Sequence, residues 1–172
     1  RFHTRSGLLT AVRDGDWIVL DFPALDAAPA AIPDGFESAL GVPVSAFLKS
    51  DYDVLAEIGS EDAVRALDPD LAALKSIDTR GIIVTARGAG EFDFVSRFFA
   101  PRAGVDEDPV TGSAHSVLAP YWAAKLGKTR MLAFQASRRG GVVRVESTGG
   151  RVHIGGQAAT VLKGTLCRGP AG

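Results

Sequence analysis

The chain has 172 residues, 46% of them apolar, with 19 Lys and Arg set against 20 Asp and Glu. That is enough apolar material for a real core in one ordinary domain, or in one lobe of a larger enzyme. The balanced charge, with no Lys/Arg block, argues against nucleic acid, no apolar run approaches the roughly 20 residues of a membrane span, and no segment is laid out as a signal peptide.

The elements follow in chain order. Arg1 to Gly7 reads as strand, although the chain opens without Met. The expectation is therefore a chain that starts inside a longer protein. Leu8 to Val12 and Trp17 to Phe22 form a hairpin around the turn signal Asp14-Gly15. Residues 23–35, with Pro23, Pro29 and Pro33, read as a connection. Phe36 to Leu40 is a short helix that Gly41 ends. Val44 to Leu48 pairs with Tyr52 to Ile58. Ser60 starts a helix that runs to Leu67. Asp68-Pro69 starts another, with Pro69 at its first position. Ile82 to Ala86 is a buried strand, and Phe92 to Phe99 is a second.

The central prediction is a helix from about 113 to 126. Ala114, Val117, Leu118, Tyr121 and Trp122 form one apolar face. The opposite face, Ser116, Ala119, Ala123 and Ala124, is scarcely more polar, so the helix should be enclosed by other structure. Pro120 inside it removes a backbone hydrogen bond and predicts a kink. Gly127 is the stop. Short strands follow at Met131 to Ala136, Val142 to Glu146, Val152 to Ile154 and Ala158 to Leu162, separated by glycine pairs. About nine strands and three or four helices result. Strands, then one wholly apolar helix, then strands predict an α+β fold: a curved, mostly antiparallel sheet wrapped around that helix. Regular βαβ alternation is absent.

Chemistry concentrates in Asp106-Glu107-Asp108-Pro109-Val110-Thr111-Gly112-Ser113-Ala114-His115. A helix start leaves unpaired N–H groups and partial positive charge, and so favours anions. Asp108 precedes proline and is biased to extended backbone. Its carboxylate either projects into a cleft or only starts a turn. Asp106 and Glu107 read as solvated loop charges. Thr111 or Ser113 is the N-cap, by itself worth roughly 1 kcal/mol, and Gly112 permits close approach of a ligand. His115 lies one turn on, and a role in holding the loop is favoured over catalysis. Arg139, before Gly140-Gly141, either clamps a carboxylate or sits in an exposed basic turn. The single cysteine, Cys167, permits no internal disulfide and fits a cytoplasmic protein. There is no metal-ligand set, phosphate loop or nucleophile elbow.

The motif resembles the signature of the phenazine-biosynthesis PhzF-like isomerase family. Phe98-Phe99-Ala100-Pro101 and Gly104 to His115 carry the likeness. It continues through Trp122, Leu126-Gly127-Lys128, Gln135-Ala136-Ser137, Arg139-Gly140-Gly141 and Val152 to Gly156. Phe2 to Gly7 and Leu20 to Pro23 also agree. The resemblance implies a diaminopimelate epimerase-like fold of two lobes, with the active site between facing helix starts. It implies that Asp108 lines that site and that Gly112 and Ser113 bind a small carboxylate substrate; Thr111, as a cap that substrate can displace, and Arg139, as a clamp, are the further substrate-binding candidates that the residues themselves offer. It also implies an enzyme without cofactor or metal, and homodimerisation. The family's first-lobe glutamate and its Gly-His-Pro-Thr-like motif do not occur here. Residues 1–22 are therefore expected to end a largely missing first lobe, 23–157 to form the second, and 158–172 to supply a return strand and tail. An inactive fragment or anion-binding protein that keeps the helix start is the alternative.

Overall fold

The computed structural model describes residues 1–4 and 7–165; Arg5, Ser6 and the end of the chain, with Cys167, lie outside them. The first strands are β1 (Phe2–Thr4), β2 (Gly7–Asp14), β3 (Trp17–Pro23) and β4 (Ala28–Pro29). Helix α1 (Phe36–Leu40) precedes β5 (Val44–Lys49) and β6 (Asp53–Ile58). Helices α2 (Glu61–Ala66) and α3 (Leu71–Leu74) lead to β7 (Gly81–Arg87), β8 (Phe94–Ala100) and β9 (Val105–Glu107). The long helix α4 (Gly112–Leu126) is followed by β10 (Arg130–Gln135), β11 (Gly141–Ser147) and β12 (Arg151–Gly156).

Among the described residues, the strands join in one sheet in the order β1-β2-β3-β12-β11-β10-β8-β7-β6-β5-β4, with β9 beside β8. Pairing is antiparallel except for β6 with β7 and β8 with β10. This is the expected α+β architecture.

Alternation along the central strands separates two cores. Leu55, Ile83, Phe94 and Phe98 point to one face, where they meet Val117, Leu118 and Trp122 of α4. Ile82, Val84, Val95 and Phe99 point to the other, where α1, α2 and α3 cover them with Phe36, Leu40, Val64 and Leu74. Ala133, Val143, Val145, Val152 and Ile154 carry the first core around α4. The sheet thus encloses the helix, as its all-round apolar character requires.

Pro120 has no N–H, so the carbonyl of Ser116 one turn earlier lacks its helical donor. The N–H of Leu25 fills that place at 3.0 Å, which ties the segment after β3 to the helix. Gly127 ends α4 in the left-handed conformation, at φ 67°. Trp122 stacks on Phe94 with centroids 5.8 Å apart, and its Nε1 donates to Thr85 Oγ1 at 3.0 Å.

Several local expectations are corrected. The hairpin loop is Gly15-Asp16, because Asp14 already pairs with Trp17. The helix expected at Pro69 starts at Leu71. Asp70 is its N-cap, and the Asp70 carboxylate accepts from the N–H of Ala73 at 2.9 Å, a bond that Pro69 cannot replace. Twelve strands form among the described residues where about nine were expected; β4 and β9, of two and three residues, are among the additions and carry no alternating pattern. The strand expected at Ala158 to Leu162 does not form. The reason is geometric: β12 is paired on both sides, with β11 and β3, so the chain beyond it meets no open edge there. Val161 and Leu162 are consequently 95% and 85% exposed.

Candidate active site at the start of helix α4

Strand β9 and residues 108–111 carry the chain from β8 to the start of α4. The N–H of Asp108 donates to Phe98 O at 3.0 Å, which fixes where the loop leaves the sheet. Glu107 is not a solvated loop charge. It takes Arg97 through both carboxylate oxygens, at 2.6 and 3.1 Å, and so fastens the loop to β8. Asp106 is exposed as expected.

Thr111 is the N-cap residue by position, with extended backbone, but its side chain caps nothing. The Oγ1 hydroxyl donates instead to Asp108 Oδ2 at 2.6 Å. The first turn of α4 therefore begins without a side-chain acceptor, and its N–H groups keep their partial positive charge. Before it lies a hollow of about 230 Å³, lined by Ile18, Leu20, Val110, Gly112, His115 and Gly156 among others. An anion of a few heavy atoms fits such a space.

The residue that orders this loop is Gln135, at the end of β10, a position that no local chemical motif marks. It is fully buried. Its Oε1 accepts from the Thr111 N–H at 2.8 Å, and its Nε2 donates to Asp108 O at 2.7 Å and to Thr111 Oγ1 at 3.2 Å. A polar residue closing a strand pattern just before Ser137 and a glycine pair was the available signal. Ser137 repeats the device: its hydroxyl donates to Pro109 O at 2.7 Å and accepts from the Gly140 N–H at 3.1 Å. Replacing Gln135 by Leu keeps most of the volume but strands a buried donor and acceptor. The expected loss is about 3 kcal/mol in urea unfolding, since each orphaned group costs roughly 1–3 kcal/mol. An unchanged midpoint would contradict this account of the loop.

His115 is fully buried beside Phe94. Its Nδ1 stands 2.7 Å from Thr111 O. A carbonyl only accepts, so Nδ1 carries the proton. Nε2 has no partner among the described residues. Burial pushes the imidazole pKa down to about 4, with the Thr111 bond opposing it. In the unfolded chain it titrates near 6.5. Between those values the unfolded state takes up a proton that the folded state refuses. Stability from this group is therefore complete above about pH 6.5 and falls as pH drops toward 4, by about 3 kcal/mol. Thermal midpoints across that range should fall less steeply for His115→Gln; an identical slope would refute the assignment.

The structure brings Asp108, Thr111, Gly112 and Ser113 together at the start of α4. Arg139 is exposed and is not among the residues that line the hollow before Gly112. It lines another hollow with Glu107, Pro109, Ser137 and Arg138. The arginine that does reach the helix start is Arg80, whose Nη2 is 3.3 Å from Ser113 Oγ.

The Phenazine biosynthesis-like protein model, PhzC-PhzF, matches residues 21–164. The chain belongs to this family. An uncharacterized isomerase of Pseudomonas aeruginosa is 51% identical over 166 residues, covering 96% of this chain and 63% of that protein. A PhzF-family crystal structure from Enterococcus faecalis superposes with a TM-score of 0.86 at 39% identity, over 91% of this chain and 60% of that one. A Pseudomonas aeruginosa protein described as a predicted epimerase shares the fold alone, with a TM-score of 0.57 at 20% identity over 90% of this chain and 63% of that one. The PhzF-like chain thus spans somewhat less than two thirds of the length of these relatives.

Proposed function

We propose that the whole protein is an isomerase that moves a proton on a small carboxylate-bearing substrate. The start of α4, with Gly112 and Ser113, holds the carboxylate. Asp108 orients or shares the proton, and Thr111 fixes the Asp108 carboxylate. A carboxylic acid from the missing first lobe is the principal acid and base, in a cleft closed between the lobes. Two carboxyl groups suffice for such a transfer without metal or organic cofactor. Homodimerisation belongs to the same proposal.

The observation that carries this reading is the hydroxyl of Thr111. It serves Asp108 rather than the helix, so a fixed carboxylate stands at an uncapped helix start whose Gly112 lines a hollow. Arg139 lines a second hollow with Glu107 and Pro109, and its carboxylate clamp stays part of the same proposal.

The test uses the full-length protein in deuterated solvent, with a panel of small cyclic and amino-acid-like carboxylates. Deuterium should enter at carbon in at least one of them. Ser113→Leu, which fills the approach to the helix start, should reduce incorporation about tenfold or more, as a misplaced anion costs orientation. Incorporation unaffected by Ser113→Leu would sink the assignment of the cradle. A second reading, anion binding without turnover, is favoured for the 172-residue chain alone, which spans about 63% of its isomerase relative. It predicts carboxylate binding with no deuterium uptake.

A further inference from the structure

We propose that Arg80, anchored on the buried carboxylate of Asp53, is a positioning residue that sets the Ser113 hydroxyl for carboxylate binding. The inference deepens the proposed function and rests on its assignment of Ser113.

Strands β6 and β7 run parallel with Asp53 opposite Gly81, so Asp53 and Arg80 meet at one end of the sheet. The Asp53 side chain has no exposed surface. Arg80 holds it with two bonds, Nε to Oδ1 at 2.9 Å and Nη2 to Oδ2. The pairing holds the Arg80 guanidinium pKa above its ordinary value. The same guanidinium lies over the Tyr52 ring, 5.3 Å from its centroid. Gly81 makes the arrangement possible. A Cβ there would stand 2.2 Å from the Phe98 ring and 3.0 Å from Asp53 Oδ1. Three constraints therefore aim one planar fork, and Nη2 reaches Ser113 Oγ at 3.3 Å.

The consequence for Ser113 follows from hydrogen-bond inventory. A serine in the first turn of a helix can turn its hydroxyl onto nearby backbone. Here Oγ accepts from Arg80, so one lone pair is occupied and the O–H must point elsewhere. No acceptor for it is found among the described residues. A hydroxyl that accepts from a guanidinium is also a stronger donor. Its natural partner is an anion at the uncapped helix start. The Asp53 charge balances that of Arg80, so the contribution is directional and the fork is essential. Lysine would keep the charge and lose the aim.

The experiment titrates the 172-residue chain with benzoate, with uncharged benzamide as control. Binding is read from the amide resonances of Gly112, Ser113 and Ala114. Arg80→Met leaves Asp53 buried and unpaired, so the pair Arg80→Met with Asp53→Asn is measured as well, beside Arg80→Lys. Each should weaken benzoate about fivefold. With Ser113→Ala in place, the Arg80 changes should add nothing. Benzoate affinity unchanged in the paired variant overturns the inference, as does full rescue by Arg80→Lys. An equal loss in the Ser113→Ala background overturns it too. If benzoate leaves these amides unmoved, or Ser113→Ala binds as tightly as the parent, the anion site itself fails and this inference with it.

Discussion

Asp108→Asn in the full-length protein should lower turnover roughly a hundredfold or more, the range expected when a positioned acid or base is lost. The substitution is nearly isosteric. An asparagine carbonyl can still accept from Thr111 Oγ1, so the 2.6 Å bond that fixes this side chain has a successor. The backbone bonds of residue 108, to Phe98 O and from Gln135 Nε2, are untouched. What disappears is the negative charge and the capacity to carry a proton. The thermal midpoint should accordingly move little while the rate collapses. Deuterium incorporation at the parent's rate would remove Asp108 from the mechanism and leave it a loop residue. A fall in rate matched by a large fall in midpoint would assign it to folding.

Trp122→Ala should cost about 3–5 kcal/mol in urea unfolding, the usual range for emptying a large aromatic site in a core. Trp122 is 1% exposed and belongs to the core that surrounds α4. The substitution removes the stack on Phe94 and leaves Thr85 Oγ1 without its Nε1 donor. Thr85 keeps its own bond to Val95 O at 2.7 Å, so its hydroxyl is not wholly orphaned. Domains of this kind hold about 5–15 kcal/mol in all, so the variant should be marginal or unfolded at 37 °C. A loss below about 1 kcal/mol would mean that α4 is not enclosed as described.

Helix α4 was legible because the signal is local and redundant. Its residues are apolar on every side, and a glycine stands at its end. Ser60 was legible for the same reason: one side chain bonds to a nearby N–H, that of Ala63 at 3.1 Å. The site was legible as a segment but not as a network. Asp108 before proline predicted an extended carboxylate, yet that Thr111 would serve it instead of the helix depends on Gln135, 24 residues on. The two arginines make the point sharply. Arg139 is close to the motif's partners in sequence and lines a hollow with Pro109, whereas Arg80 is 33 residues from Ser113 and touches it. Its placement comes from the parallel pairing of β6 with β7, which no local pattern announces. The strand expected at Ala158 to Leu162 failed for the converse reason. Apolar residues there met the local criterion, but the sheet offered no edge beside β12.

The place of β12 has a consequence for synthesis. It fills the slot between β3 and β11, and Arg151 clasps Asp21 across a separation of 130 residues. A nascent chain halted before Arg151 would present the raw flanks of both β3 and β11, each able to capture a strand from a neighbouring molecule. Closure of the sheet therefore waits until β12 has been made, and pairing across so long a separation makes for a slow step.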